Sequence, residues 1–206
     1  MNNLLQKGLY AITPSISDSG LLLKKVEQAL LGGIVLLQYR DKTSTPKQRL
    51  RRAEEIHQLC LRYKVPLIIN DDPQLALACN AEGVHLGQDD GSIQHARKLL
   101  GANAIIGATC HHHVSLAVLA EEQGANYVAF GRFFKSSTKP GAPLATLQTL
   151  AEAKKNLSIP LVAIGGINHD NAKPLVINGA DNLAVVDNVF AAADITESCK
   201  RFAALF

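Results

Sequence analysis

Eight short apolar runs organise the whole chain, each followed by polar or Gly-rich residues and, for most of them, a stretch with helical spacing. The runs are Gly8–Ile12, Ile34–Tyr39, Pro66–Asn70, Gly83–Leu86, Ala104–Thr109, Tyr127–Phe130, Pro160–Ile164 and Leu183–Val186. Helical spacing fills Leu22–Leu31, Pro46–Tyr63, Ile93–Leu100, Val114–Gln123, Leu147–Asn156, Ala172–Asn178 and Ala191–Leu205. Runs that are apolar almost throughout suit strands buried on both faces, the condition of a parallel sheet covered by helices. With no linker or low-complexity tract between them, eight such units in 206 residues predict one α/β domain, a single (β/α)8 TIM barrel. Gly32-Gly33, Gly83, Gly124 and Gly179 fall at or just before runs, where a helix must stop and turn into the next strand.

Composition narrows the function classes. Only 5% of residues are aromatic, which leaves little to stack on nucleic-acid bases, and a net charge of +3 is far from a basic stripe. That charge can still draw small anions into a cleft. No segment approaches the roughly 18 uninterrupted apolar residues of a membrane span. The opening Met1-Asn2-Asn3-Leu4-Leu5-Gln6-Lys7 lacks the layout of a secretory signal. Cys60, Cys79, Cys110 and Cys199 form no CxxC and read as free thiols packed as small hydrophobes, so a cytoplasmic location is expected.

Barrel enzymes gather their active sites on the loops after the strand C-termini, so the polar residues closing each run are the ones to question. After the second run stand Gln38, Tyr39, Arg40, Asp41 and Lys42. Alternation sends Gln38 and Arg40 to one side with Lys42 close behind, an amide, a fork of donors and a point charge that together clamp an anion. Asn70-Asp71-Asp72 and Gly87-Gln88-Asp89-Asp90 put two acidic pairs on neighbouring strand ends. Such pairs repel unless a cation lies between them, and single hard oxygens from separate loops suit Mg²⁺. Each aspartate could equally cap the helix that follows; the expectation is one cap and one metal ligand per pair.

The fifth run ends in Thr109-Cys110-His111-His112-His113. Consecutive histidines point in different directions and lack a spaced partner, so neither a zinc site nor a Cys110–His111 dyad is expected; the Thr109 hydroxyl is the plausible ligand contact. Ser136, Ser137, Thr138 and Lys139 follow the sixth run in a long loop able to wrap a phosphate and close as a lid, or to be plain surface. Gly165-Gly166 after the seventh run lets backbone N–H groups approach an anion, where barrels of this kind commonly hold phosphate. No P-loop or GxGxxG pattern is present.

Together these stretches resemble the thiamine-phosphate synthase family, also called thiamine-phosphate pyrophosphorylases, nearly end to end from Gly8-Leu9-Tyr10-Ala11-Ile12-Thr13 onward. The matches are Gln38-Tyr39-Arg40-Asp41-Lys42, Asn70-Asp71-Asp72, His85-Leu86-Gly87-Gln88-Asp89-Asp90, Ser136-Ser137-Thr138-Lys139 and Ala163-Ile164-Gly165-Gly166-Ile167. The resemblance implies that Gln38 to Lys42, Asn70, Thr109 and Lys139 contact a hydroxymethylpyrimidine diphosphate, with Arg40, Lys42 and Lys139 stabilising charge. It implies Asp71 and Asp90 as Mg²⁺ ligands, and Ser136, Ser137, Thr138 and Gly166 around a thiazole phosphate. Thr109 stands where the family usually has serine and keeps the hydroxyl. Where many members carry a serine after the eighth strand, this chain has Val186-Asp187. Backbone contact is expected there, with the Asp187 carboxylate turned away to cap a helix beginning near Phe190 or to meet a cation.

The implied reaction joins the pyrimidine methylene to the thiazole nitrogen and releases pyrophosphate. Its partners are small phosphorylated molecules, with no nucleic acid and no membrane, and room is left for a homo-oligomer. A thiazole tautomerase-like relative would leave the full set of Arg40, Lys42, Asn70, Asp71, Asp90 and Lys139 unexplained. A silent phosphate-ligand sensor would have no use for intact metal carboxylates. A sugar-phosphate isomerase or aldolase barrel is disfavoured because no Schiff-base lysine lies inside a strand.

Overall fold

The computed structural model describes residues 5–134 and 144–206. Strands β1 (Gly8–Ile12), β2 (Leu36–Tyr39), β3 (Leu67–Asn70), β4 (Gly83–Leu86), β5 (Ile105–His111), β6 (Tyr127–Phe130), β7 (Leu161–Ile164) and β8 (Asn182–Val185) pair in chain order and close into a barrel. Every neighbouring pair is parallel, including the β1–β8 seam. The chain is therefore the (β/α)8 barrel expected from its eight runs. No helix among the described residues is long and apolar enough to cross a membrane.

The covering helices are α1 (Ser19–Leu31), α2 (Pro46–Tyr63), α3 (Pro73–Ala78), α4 (Ile93–Leu100), α5 (Val114–Glu122), α6 (Leu147–Asn156), α7 (Ala172–Ile177), α8 (Asp187–Phe190) and α9 (Ile195–Ala203). Their starts are written locally. Thr45 and Gln48 form a capping box ahead of α2, with Pro46 at a position that needs no N–H. Asp18, Asp72, Ser92, Thr146 and Asp194 cap α1, α3, α4, α6 and α9.

Three expectations are corrected. The helix expected over Ala191–Leu205 begins only at Ile195, where Asp194 caps it, and a separate short helix, α8, has already ended at Phe190. The helix after the fourth strand is capped by Ser92, not by Asp89 or Asp90. The short α3 was not among the helical stretches read from periodicity.

Alternation along the strands splits the core in two. Leu37, Tyr39, Leu67, Ile69, Val84, Ile106 and Val128 face outward against the helices. Tyr10, Ile12, Leu36, Ile68, Ile105, Tyr127, Ala129, Val162 and Ala184 fill the barrel itself. Gly107 makes room for one of the large interior rings: a Cβ there would lie 2.0 Å from Cζ of Tyr127. All four cysteines are free and buried. At the strand N-termini Asp181 accepts from the Leu161 N–H (3.0 Å) and is paired with Lys154 (3.0 Å) and Lys7 (3.1 Å). Beside it Asn182 donates to the carbonyl of Gln6 at 2.8 Å, fastening the start of the chain to the last strand.

Candidate active site

The inward phase of each strand determines what reaches the mouth of the barrel. Gln38, Asn70, His85 and Thr109 share that phase with Leu36, Ile68 and Ile105, so their polar groups rise from the interior into the C-terminal end. Neighbouring residues in the opposite phase go elsewhere. Tyr39, expected as a substrate contact, turns outward into the core under the helices, while Asp41, expected likewise, is held by its neighbours at the edge of the cavity described below. Asp41 is buried against Arg52, which donates to it at 2.9 Å, and accepts from the Tyr39 hydroxyl (3.1 Å) and the N–H groups of Thr43 (3.0 Å) and Ser44 (3.1 Å). Burial alone would raise this carboxyl, but the donors of Thr43 and Ser44 hold it well below the usual carboxylate range. Arg52 also reaches the carbonyls of Ile16 and Ser17 and the Ser19 hydroxyl, so one guanidinium ties the loop after β1 to the loop after β2. The Arg40 N–H is fixed in turn by the Thr13 hydroxyl at 2.9 Å.

Lys42 and the acidic strand ends meet in a cavity of about 450 Å³, lined also by Asp41, Arg49, Asn70, Asp72 and Gln74. Lys42 Nζ lies 3.0 Å from Asp71. Asp71 adopts φ 64°, a left-handed conformation that aspartate tolerates better than most residues, and its N–H donates to the His85 carbonyl at 2.8 Å. Its carboxylate accepts from the protonated carboxyl of Asp90. Against its burial, Lys42 and the Asp90 proton hold the Asp71 carboxyl low; burial and the Asp71 charge push that of Asp90 up. Two carboxyls in contact share a proton, and a hard divalent cation can take that proton's place. The donor set therefore fits Mg²⁺ with water completing its shell. Asp72 caps α3 by accepting from the Leu75 N–H (2.9 Å), leaving Asp71 to the cavity. Asp90 instead closes its own turn by accepting from the Gly87 N–H (2.9 Å).

Thr109 ends the regular part of β5, before a bulge at which His111 takes φ 51°. Its hydroxyl meets His85 Nε2 at 2.8 Å. Burial pushes His85 down to about 4, against the pull of Asp71, so its ring is neutral. Burial also pushes the Cys110 thiol up to about 12, which leaves it inert as a nucleophile. Among the described residues no group of three or more His, Cys, Asp or Glu is arranged to hold a metal, the His111–His113 run included.

On the opposite rim Gly165 is required by packing, since a Cβ there would lie 2.3 Å from Cβ of Arg132. Gly166 follows at φ 67° and its carbonyl accepts from the Asn171 side chain (3.0 Å). Val186 precedes α8, whose first residue is the exposed Asp187; no helix begins near Phe190, where α8 instead ends, so Asp187 is not the cap expected of it. Ser136, Ser137, Thr138 and Lys139 lie outside the described residues.

Arg49 was not anticipated. It lines the cavity from the first turns of α2, with one guanidinium nitrogen 3.8 Å from Asp72 and a buried Nε that has no hydrogen-bond partner among the described residues. The only sequence signal is a cation near the positive end of a helix dipole, where it is electrostatically misplaced unless an anion is to be met.

The chain is similar to known proteins both in sequence and in fold. A family model described as thiamine monophosphate synthase matches residues 9–189. The thiamine-phosphate synthase of Marinobacter nauticus is 52% identical over 201 residues, 96% of this chain and 90% of that protein. The structure of thiamine phosphate pyrophosphorylase from Pyrococcus furiosus superposes with a TM-score of 0.86 at 32% identity, covering 99% of this chain and 96% of that one. An orotidine 5′-phosphate decarboxylase from Pyrococcus horikoshii (TM-score 0.71, 14% identity, 96% of this chain and 98% of that one) shares the barrel alone. With a family model spanning most of the chain and a relative 52% identical over 201 residues, this chain belongs to the thiamine monophosphate synthase family.

Proposed function

We propose that this chain is a Mg²⁺-dependent thiamine-phosphate synthase that joins hydroxymethylpyrimidine diphosphate to thiazole phosphate and releases pyrophosphate. The observation that carries the reading is the cluster of Lys42, Asp71 and Asp90 at one cavity, on the strand ends that the family motifs occupy. Asp71 and Asp90 would hold the cation, which when bound supplies positive charge to the diphosphate. The bond between the pyrimidine methylene carbon and the diphosphate oxygen breaks, and that carbon bonds to the thiazole nitrogen. The departing group is an anion, so the chain's task is neutralisation and alignment. Lys42, Arg40 and Arg49 meet the charge that develops as the oxygen leaves, and Lys139 is assigned the same task. Gln38, Asn70 and Thr109 orient the pyrimidine from the barrel interior, and Ser136, Ser137, Thr138, Gly166 and the backbone at Val186 and Asp187 hold the thiazole phosphate. No covalent nucleophile is needed.

The test is to incubate the purified protein with both substrates, with Mg²⁺ or with excess chelator. Thiamine phosphate and pyrophosphate should form together, cease with chelator and return when Mg²⁺ is restored. Full turnover in chelator would end the metal assignment, and no turnover in Mg²⁺ would end the functional one.

A further inference from the structure

We propose that His85 is a positioning residue for Thr109: a one-way chain of hydrogen bonds through the barrel interior turns the Thr109 hydroxyl proton out toward an acceptor on the pyrimidine ring. The proposal rests on the reading that Thr109 meets that substrate. The chain crosses the otherwise apolar interior in four steps. Gln38 Nε2 donates to the Tyr10 hydroxyl at 2.6 Å. The Tyr10 and Tyr127 hydroxyls lie 2.8 Å apart. The Tyr127 hydroxyl is 2.9 Å from His85 Nδ1, and His85 Nε2 is 2.8 Å from the Thr109 hydroxyl. The His85 and Tyr127 rings also stack, 5.5 Å between centroids and 21° between planes, which fixes the imidazole in one orientation.

Counting protons gives the chain a direction. Tyr10 already accepts from Gln38, so its own proton goes to Tyr127. The Tyr127 hydroxyl, having accepted that proton, donates its own to His85 Nδ1. A neutral imidazole that accepts at Nδ1 carries its proton at Nε2, and donates it to the Thr109 oxygen. Thr109 is then left with a free hydroxyl proton at the mouth of the site. Run in reverse, the chain would leave the Tyr10 proton pressed against the Gln38 N–H, a buried donor facing a donor, and would leave Thr109 able only to accept. A single amide orientation at Gln38 on β2 therefore decides the role of a hydroxyl on β5. Gln38 and Thr109, both assigned to the pyrimidine, act as one unit although their strands lie apart in the barrel.

Two measurements decide it. In ¹⁵N-labelled wild-type protein without substrate, NMR of the His85 ring should find the proton on Nε2 and a bare Nδ1; a proton on Nδ1 overturns the proposal. In kinetics, Tyr127→Phe removes the donor to Nδ1 while keeping the stacked ring. It should raise the Michaelis constant for the pyrimidine diphosphate about tenfold, the worth of one lost hydrogen bond, and leave that for thiazole phosphate unchanged. Thr109→Val should show the same loss, Thr109→Ser should restore the wild-type constant, and the double variant Tyr127→Phe/Thr109→Val should lose no more than Thr109→Val. Losses that multiply, or an equal rise in both Michaelis constants, would mean that Tyr127 only packs. If the wild type turns over neither substrate the functional reading falls, and the NMR result still decides the direction of the chain.

Discussion

Arg49 and Arg52 stand one turn apart on α2 and face different surroundings. Arg52 is sealed between two loops with Asp41, whereas Arg49 opens onto the cavity. Breaking a buried ion pair strands the partner's charge, so Arg52→Met should cost about 3–5 kcal/mol, read as a large fall in melting temperature. Arg49→Ala should leave the melting temperature within about 2 °C of wild type, because a half-exposed pair to Asp72 at 3.8 Å adds little. It should lower kcat/KM for the diphosphate substrate roughly 10–100-fold, as loss of one charge-assisted contact does. Unchanged kinetics would remove Arg49 from the site. Gln38, Asn70, Asp71 and Thr109 were legible in the sequence because each is a polar residue at the end of an apolar run. Arg49 was not, since a cation within a helix carries no such mark. Tyr10, His85 and Tyr127 were hidden for the opposite reason, lying inside buried strands where a tyrosine reads as one more β-former.

At the scale of elements, eight strands were readable because parallel strands covered on both faces leave continuous apolar runs. The four-residue α8 was not, since a single turn is too short to show periodicity, and α3 was foreseen only as the helix that an aspartate before Pro73 could cap. The former bears on Asp187. As the first residue of α8 it places a negative charge at the positive end of the helix, and among the described residues no side-chain hydrogen bond caps that end. Asp187→Ser should therefore leave the Michaelis constant for thiazole phosphate unchanged and cost about 0.3–1 kcal/mol, a shift of about 1–4 °C in melting temperature. A severalfold drop in that constant with an unmoved melting temperature would place the carboxylate against the phosphate.

The whole molecule divides by function along the barrel axis, with the site at the strand C-termini and a charged clasp at the N-termini. There Asp181 joins β7, β8 and the residues before β1. Burial would raise its carboxyl, but the Leu161 N–H and the ammonium groups of Lys154 and Lys7 hold it below its ordinary value. A carboxylate depressed in the folded state adds stability that is fully present above its unfolded pKa of about 3.9, and lost as pH falls through the lower, folded value. Asp181→Asn should thus melt below wild type at pH 7 by the equivalent of about 1–3 kcal/mol, with the two curves converging in acid. A constant gap across that range would show that the charge is not what holds the clasp. The seam beside it has a consequence in time. Gly8 pairs with Asn182, and Asn182 bonds the Gly8 carbonyl across 174 positions of chain. Until the last strand has been synthesised, β1 keeps one bare edge, able to pair with whatever strand it meets. The last strand is therefore what turns an adhesive open sheet into a cylinder without edges, and a ribosome that stops short of β8 releases a product prone to aggregate.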